Sequence, residues 1–231
     1  MTEIKNQRES TLEERLFWKY ARGGHLEEMR LLFRGGKLSP KFGDWNNVIN
    51  HSLVQTAAMD VLGDALALPV DGTQKLRSNA LVHDWRKRLD RKPGDFTDEQ
   101  KAAVQRFIDA AQPDESLLAA TEAGFSKKIL DGEATDEQKL MFYVDDIARG
   151  SEIIGIEERI REVEQRNPMV DPIWNEQLGM PYWEAERKAA HKVEGELFQQ
   201  LTSKGVSLSA PDQIPQFLFA RVQEIGLGNS K

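Results

Sequence analysis

The stretch Leu81-Val82-His83-Asp84-Trp85-Arg86-Lys87-Arg88 sets an imidazole and a carboxylate side by side within a segment whose pattern is typical of a helix. An adjacent His-Asp pair can hold a divalent cation when other segments supply the remaining ligands, and the basic residues behind it could then meet a phosphate. Such a site requires the helices that carry the other ligands to pack against this one. Since a His-Asp dipeptide also arises by chance, its meaning depends on ligands placed upstream and downstream.

Composition narrows the classes of protein and of site. The chain has 231 residues, which suits one large domain or a core domain with an appendage. Its net charge of -7 argues against a protein that binds long nucleic acids non-specifically. There is no cysteine, which excludes disulfides, thiolate nucleophiles and cysteine-based zinc sites, so a metal ion would need histidine, aspartate or glutamate.

The sequence contains no targeting or membrane-spanning signal that we recognise. The segment 1–10 is polar and lacks the apolar core of a signal peptide, and no stretch approaches the run of about 20 apolar residues that spans a bilayer. We therefore expect a soluble, cytoplasmic protein without a membrane partner. Charged residues make up 30% of the chain and hydrophobic ones 39%, which favours amphipathic helices and an all-α fold.

In the first half, helix-start residues and apolar spacing predict four helices. The long third one should begin after Asp44, which looks like its cap, and it contains His51. The fourth should be capped by Thr73, and it contains His83 and Asp84. The predicted ranges are Thr11 to Gly23-Gly24, His25 to Phe33, Asp44 to about Leu66, and Thr73 to about Leu89.

The second half begins with two helix-start signals of the same kind. Thr97 and Thr135 are each followed three residues later by glutamine, which is the pattern of a capping box. The apolar run Leu140–Val144 then leads directly into Asp145 and Asp146. This is an unusual position for two carboxylates, because burying them is costly unless they are paired or bound to a cation. Further helices are predicted to about Ala111, as a pair around Leu117 to Leu130, and over Ile156 to Arg166, Tyr182 to Lys204 and Pro211 to Ile225.

Between Asn167 and Tyr182, three prolines predict an irregular connection. This region carries Trp174, Tyr182 and Trp183. We interpret these aromatic side chains as packing anchors of a helical extension, with a lid or a surface for homo-oligomer formation as the functional alternative.

A set of candidate metal ligands emerges from three predicted helices. His51 lies on one, His83 and Asp84 on the next, and Asp145 or Asp146 at the end of the apolar helix. Antiparallel packing of helices joined by short connections would let these side chains meet. Imidazole together with carboxylate suits Mn, Fe, Co, Ni or Zn better than calcium.

The pattern of a His, a His-Asp pair and a distant Asp resembles the HD-domain superfamily of metal-dependent phosphohydrolases. Asn47–Val54 resembles the first-helix signature of that family, and Ala80–Asp84 resembles its apolar run into His-Asp. Leu140–Asp145 resembles the segment that ends in the final ligand, and Lys87 stands where many members carry a lysine. The resemblance covers roughly residues 44–166.

This resemblance implies a helical bundle of the HD type, with a packed N-terminal segment (1–43), a metal-binding core (44–167) and a C-terminal helical extension (168–231). It implies one divalent metal ion (Mn, Co, Ni, Fe, Zn or Mg) that activates water for attack on phosphorus. Asp84 and Lys87 would take part in catalysis, and Lys87, Arg88 and Arg149 would bind the substrate phosphate. The implied metal ligands are His51, His83, Asp84 and Asp145, with Asp145 preferred to Asp146 because it directly follows the apolar run.

The chain also departs from the family pattern. Members with two or three metals add histidines after the His-Asp pair, whereas this chain has none between His83 and His191, so we expect a single metal. Some nucleotidases of the family use a glutamate as general acid or base where this chain has Lys87. Arg86 replaces the glycine of the commoner form, and Trp85 is bulky enough to reshape the pocket or to pack beneath it.

Three functions remain open from the sequence. The first is a phosphohydrolase that acts on a small phosphorylated molecule, with a nucleotide as the first expectation. The second is an HD-like module that binds or senses a nucleotide without rapid turnover. The third is a plain helical bundle in which His83 and Asp84 form a hydrogen-bonded pair in the core.

Overall fold

A computed structural model describes residues 10–21, 46–91 and 93–227. The predicted helix His25 to Phe33 and the predicted cap Asp44 lie outside these residues. The described helices are α1 (Leu12–Tyr20), α2 (Asn46–Leu66), α3 (Val70–Arg91), α4 (Asp98–Ala111), α5 (Glu115–Ala119), α6 (Ser126–Leu130), α7 (Asp136–Ile147), α8 (Ile156–Arg166), α9 (Asp171–Leu178), α10 (Tyr182–Ser203) and α11 (Ile214–Glu224).

The all-α class is confirmed, since the strands found in the described residues are only β1 (Ala148–Arg149) and β2 (Glu152–Ile153). They pair antiparallel, with Arg149 opposite Glu152, around a turn in which Gly150 has a φ of 55°. This φ lies in the region that favours glycine, and the hairpin directly follows the end of α7 at Ile147. None of the described helices combines the length and the hydrophobicity that crossing a membrane requires.

Capping chemistry predicts three helix starts correctly. The hydroxyls of Thr11, Thr97 and Thr135 each accept a hydrogen bond from the backbone N–H three residues later, and the side-chain oxygen of that residue accepts one from the threonine N–H. The predicted cap at Thr73 is wrong, because α3 already begins at Val70. The Thr73 hydroxyl instead donates to the Pro69 carbonyl at 3.2 Å, which ties it to the turn before it.

The connection 167–181 is less irregular than predicted. It contains α9, in which Pro172 occupies the first turn. A proline there removes an N–H that would have no partner within the helix, so it does not interrupt the helix. At the far end, the predicted helix from Pro211 is divided into a 3₁₀ turn, Pro211–Gln213, and α11.

The centre of the fold is the antiparallel pair of α2 and α3, which pack more extensively on each other than any other pair of described elements. Gly63 allows their close approach, since a Cβ there would lie 2.5 Å from the Thr73 side chain. Helix α7 packs across both helices, and its segment Leu140–Val144 is buried. Three helices that carry candidate ligands are thus mutual neighbours.

The C-terminal extension is anchored on this core by α10, which packs against α6, α7 and α8. One polar contact in this interface is fully buried. The Tyr143 hydroxyl donates to Oε1 of Glu194 at 2.9 Å, and the two residues are 0% and 5% exposed. A buried carboxylate needs such donors, so this bond helps to hold the extension in place.

We expect Tyr143→Phe to lower the free energy of unfolding by about 1.5–3 kcal/mol, the range for a hydrogen bond to a charged group. Urea unfolding measures it. Tyr20→Phe is the matched control, because Tyr20 donates to Asp60 at 2.7 Å but Asp60 also keeps Lys19 and Arg77 as partners. The control should lose less stability, and equal losses in the two variants would contradict this account of the interface.

Candidate metal centre

Three predicted ligands come together where α2, α3 and α7 meet. His51 comes from α2, His83 from α3 and Asp145 from α7. One ligand atom of each lies within 4.8 Å of the others, so the group could hold a metal ion. The two histidines are 8% and 1% exposed. We call these three residues the His-Asp cluster.

Both histidines of the cluster lie close to the same carboxylate oxygen. Oδ1 of Asp145 lies 3.1 Å from Nε2 of His51 and 3.3 Å from Nε2 of His83. Asp84 flanks the cluster, with its carboxylate oxygens 3.7 Å from Nε2 of His51 and 3.5 Å from Nε2 of His83. The four ligands implied by the resemblance therefore lie in one place, with Asp84 slightly further out.

The orientation of His83 supports a cation at this position. Its Nδ1 lies 2.9 Å from the carbonyl oxygen of Ala80, and since a carbonyl only accepts, Nδ1 carries the proton. In the neutral ring Nε2 then presents a lone pair to the cluster. This nitrogen is buried and has no hydrogen-bond partner among the described residues. A lone pair facing carboxylate oxygens calls for a proton or a metal ion between them.

Gln55 is a member of the site that the sequence analysis missed. Its Nε2 donates to Oδ1 of Asp145 at 2.7 Å and lies 2.9 Å from Nε2 of His51. The only sequence signal was its spacing, because a residue four positions after His51 shares its face of the helix. The amide fixes the Asp145 carboxylate against His51 and so arranges the ligand atoms.

Electrostatics keep both aspartates of the site ionised. Burial alone would raise the pKa of Asp145, but Lys87 and His83 hold it well below its ordinary value. Burial has the same effect on Asp84, and His83, His51 and Lys87 outweigh it, so its pKa is lowered. Burial disfavours the charged form of His83, yet the charges of Asp84 and Asp145 raise its pKa overall. A proton on His83 would compete with a metal ion for Nε2.

Asp145 and Asp146 are adjacent in sequence but have different surroundings. Asp145 faces the two histidines, which agrees with its preference over Asp146. The Oδ2 atom of Asp146 is buried without a hydrogen-bond partner in the described part of the chain. Burial, Glu186 and Asp145 all raise the pKa of Asp146 well above its ordinary value. Asp145 therefore belongs to the His-Asp cluster, whereas Asp146 lines a neighbouring cavity.

Of the predicted phosphate-binding cations, the structure brings Lys87 to the cluster. Its Nζ lies 3.6 Å from Oδ2 of Asp145 and 3.9 Å from Oδ1 of Asp84, and it donates to the Thr121 carbonyl at 2.6 Å. Arg149 is not brought there. Its guanidinium pairs instead with Glu152 and Glu158 at 2.6 and 2.8 Å on the exposed face of the hairpin and α8.

A cavity of about 190 Å³ adjoins the cluster and shares Asp145 with it. Arg88 is not among its lining residues, whereas Arg159 from α8 is. Larger cavities of about 660 and 570 Å³ lie beside α1 and include none of the cluster residues, so size alone does not mark the site. The smaller cavity is lined by Ala120, Thr121, Glu122, Ala123, Phe142, Asp145, Asp146, Arg159, Ile160, Val163, Tyr182, Trp183 and Glu186.

Trp85, for which the sequence leaves two positions open, is 2% exposed and packs in the core. It is not among the residues that line the cavity. Tyr182 and Trp183 are buried as predicted for packing anchors, but they also form part of the cavity wall. This second role had no signal in the sequence, because it depends on how α10 packs on α7.

We expect the purified protein to bind about one divalent ion per chain, and His83→Ala or Asp145→Asn to weaken its affinity at least 100-fold by removing a ligand. Asp146→Asn is the matched control, since it makes the same substitution at the next position and should bind the ion nearly as the wild type does. Metal analysis after dialysis, with titration calorimetry, measures both. A similar loss in Asp145→Asn and Asp146→Asn would refute the assignment of the ligand.

Comparison with known proteins adds no relative from which chemistry could be transferred. No family model, no curated protein and no solved structure matches this chain. The chemistry assigned to the site therefore rests on its own side chains, of which His51, His83 and Asp145 form the group that could hold a metal ion.

Proposed function

We propose that this protein is a metal-dependent phosphohydrolase that cleaves a phosphoester or phosphoanhydride of a small phosphorylated molecule, with a nucleotide as the first candidate. The observation that carries the proposal is the position of Lys87. A cation 3.6 Å from Asp145, beside a group that could hold a divalent ion, creates a place for a phosphate with positive charge on two sides. The resemblance to the HD-domain superfamily supports the same chemistry.

The ligand set would be His51, His83, Asp84 and Asp145. A divalent ion bound there would polarise a phosphoryl oxygen and lower the pKa of a bound water towards neutrality. Gln55 holds the Asp145 carboxylate in the orientation that the histidines require, through its hydrogen bond of 2.7 Å. The ionised state of Asp84 and Asp145, maintained by the nearby positive charges, keeps both carboxylates ready to bind a cation.

Lys87 would neutralise the negative charge that accumulates on the phosphoryl oxygens during attack. Its ammonium is held in place by the Thr121 carbonyl, so the charge is fixed in position before a substrate arrives. Lysine provides a point charge rather than the two-pronged contact of arginine. Arg159, in the wall of the adjoining cavity, is the arginine placed nearest to this arrangement among the lining residues.

The proposed reaction is tested by phosphate release from a panel of nucleotides with Mn, Co, Ni and Mg. We expect release by the wild type with at least one metal and loss of at least 100-fold in the double variant His83→Ala, Asp84→Ala, which lacks two ligands. Equal, slow release by both proteins under every metal would exclude hydrolysis. Metal and nucleotide binding without release would instead identify a sensing module.

The contribution of Lys87 is separable from metal binding. We expect Lys87→Met to lower kcat/KM about 100-fold, since it removes one charge that stabilises the transition state, while the bound metal stays at the wild-type level. Arg149→Met is the control, because Arg149 pairs with glutamates on the surface, and it should leave kcat/KM within about twofold. A larger decrease in kcat/KM for Arg149→Met than for Lys87→Met would contradict the role assigned to Lys87.

A further inference from the structure

The cavity beside the His-Asp cluster has a polar wall that the proposed reaction does not use. We call Asp146, Arg159 and Glu186 the polar wall. They come from three helices, α7, α8 and α10, and all three line the cavity. Glu186 is 5% exposed. Asp146 and Arg159 are partly buried. Ionisable side chains that are removed from water in this way are stable only when other groups interact with them.

Two atoms of the polar wall are left without partners, and they are complementary. Oδ2 of Asp146 is a buried acceptor, and Nε of Arg159 is a buried donor; neither has a hydrogen-bond partner among the residues described. An unsatisfied buried polar group costs about 1–3 kcal/mol, so such groups in a native fold usually mark a bound water or ligand. A ligand that offers both a donor and an acceptor would satisfy the two atoms together.

The carboxyl groups of the polar wall indicate which kind of hydrogen-bond donor a ligand would need. Asp146 and Glu186 place two carboxyl groups in one cavity, and Arg159 supplies one positive charge. A single nitrogen that carries two or three hydrogens can donate to both carboxyl groups, which a hydroxyl group cannot do. An oxygen without hydrogens at the same position could donate to neither carboxyl group. The wall is therefore complementary to an amino group.

Size and position specify which part of a substrate would enter. About 190 Å³ is below the roughly 300–1,000 Å³ of typical ligand pockets, so the cavity takes a small group rather than a whole large substrate. Asp145 belongs both to the cavity and to the His-Asp cluster. A phosphate at the cluster would thus leave its organic part facing the cavity, where Tyr182, Trp183 and Phe142 provide apolar surface.

We propose that this cavity binds the organic part of the phosphate ester and selects one that carries an amino group, which donates to Asp146 and Glu186. The inference rests on the proposed function, because the phosphate is placed by the His-Asp cluster and Lys87. Two sources of this chemistry fit the cavity, a nucleobase with an exocyclic amino group and an aliphatic amino alcohol. Arg159 binds an acceptor atom of the same ligand through its free Nε.

Matched pairs of esters distinguish the two sources. Cytidine monophosphate and uridine monophosphate differ in an amino group against an oxygen, and phosphoethanolamine and propyl phosphate differ in an ammonium against a methyl group. We expect the amino member of one pair to have the higher kcat/KM with Mn and the lower Kd by calorimetry on the metal-free protein. The preference should be at least about tenfold, as for a good two-point contact to a base.

Variants locate the preference in the polar wall. Glu186→Gln should bring the ratio within the favoured pair close to one, while the amount of bound metal stays unchanged. Asp146→Asn is a second variant that should act in the same direction, in case Glu186→Gln unfolds the protein. The matched control is Glu184→Gln, an exposed position on the same helix whose side chain pairs with Lys188, and it should leave the ratio unchanged.

The outcomes separate this inference from the proposed function. Ratios near one in both pairs, no binding of any of the four esters, or a preference that persists in both Glu186→Gln and Asp146→Asn would each overturn the amino-group site. Preferential binding of an amino ester without phosphate release from any ester would leave the site standing and overturn hydrolysis. Phosphate release from both members of each pair at equal rates would support hydrolysis and overturn the amino-group site.

Discussion

The packing of the central helices depends on hydrogen-bond acceptors that face one another in the interior, namely a histidine nitrogen and a carboxylate oxygen. Among the described residues, Nε2 of His83 has no hydrogen-bond partner, and it lies 3.3 Å from the carboxylate oxygen Oδ1 of Asp145 where α2, α3 and α7 meet. Such a group is unfavourable in a buried place unless positive charge is supplied. Lys87 supplies part of it from the side, and a proton or a metal ion at the ring nitrogen would supply the rest. The helices must still close tightly around the group, which is why the α2–α3 pair and the buried α7 form the core.

The residues that could hold an ion and the residues that surround them come from different parts of the chain. The first half of the chain provides the two histidines, from helices that approach closely at Gly63. The last part provides α10, which covers α7 and joins it through the buried bond between Tyr143 and Glu194. Because α7 is held from both sides, the two aspartates at its end have fixed directions. The C-terminal extension is therefore part of the site's construction and not only an addition to its surface.

Sequence reasoning predicted what local chemistry determines. Threonine at the helix start predicts the beginnings of α1, α4 and α7, the last two through capping boxes. The positions of His51, His83 and Asp145 on three helices indicate ligands that do converge. It failed where a partner distant in sequence decides the outcome. Arg149 is predicted from the sequence to bind a phosphate, but in the structure Glu152 and Glu158 pair with it. Glu186 carries no signal in the sequence, because its burial depends on the packing of α10. Three prolines predict an irregular connection where α9 forms. The first turn of a helix tolerates a proline, and Pro172 lies in the first turn of α9.

The neighbouring positions Asp145 and Asp146 have one more consequence. Successive residues on a helix point about 100° apart. The two carboxylates therefore point into different chambers, one at the His-Asp cluster and one in the cavity beside it. The chamber with the histidines is built from α2 and α3, whereas the other chamber takes its remaining walls from α8, α10 and the loop before α6. Substitutions in those outer walls would therefore change the shape of the second chamber while leaving His51 and His83 in place. In evolution, a duplicated copy of this chain could alter α8, α10 and the loop before α6 and keep the histidine chamber unchanged.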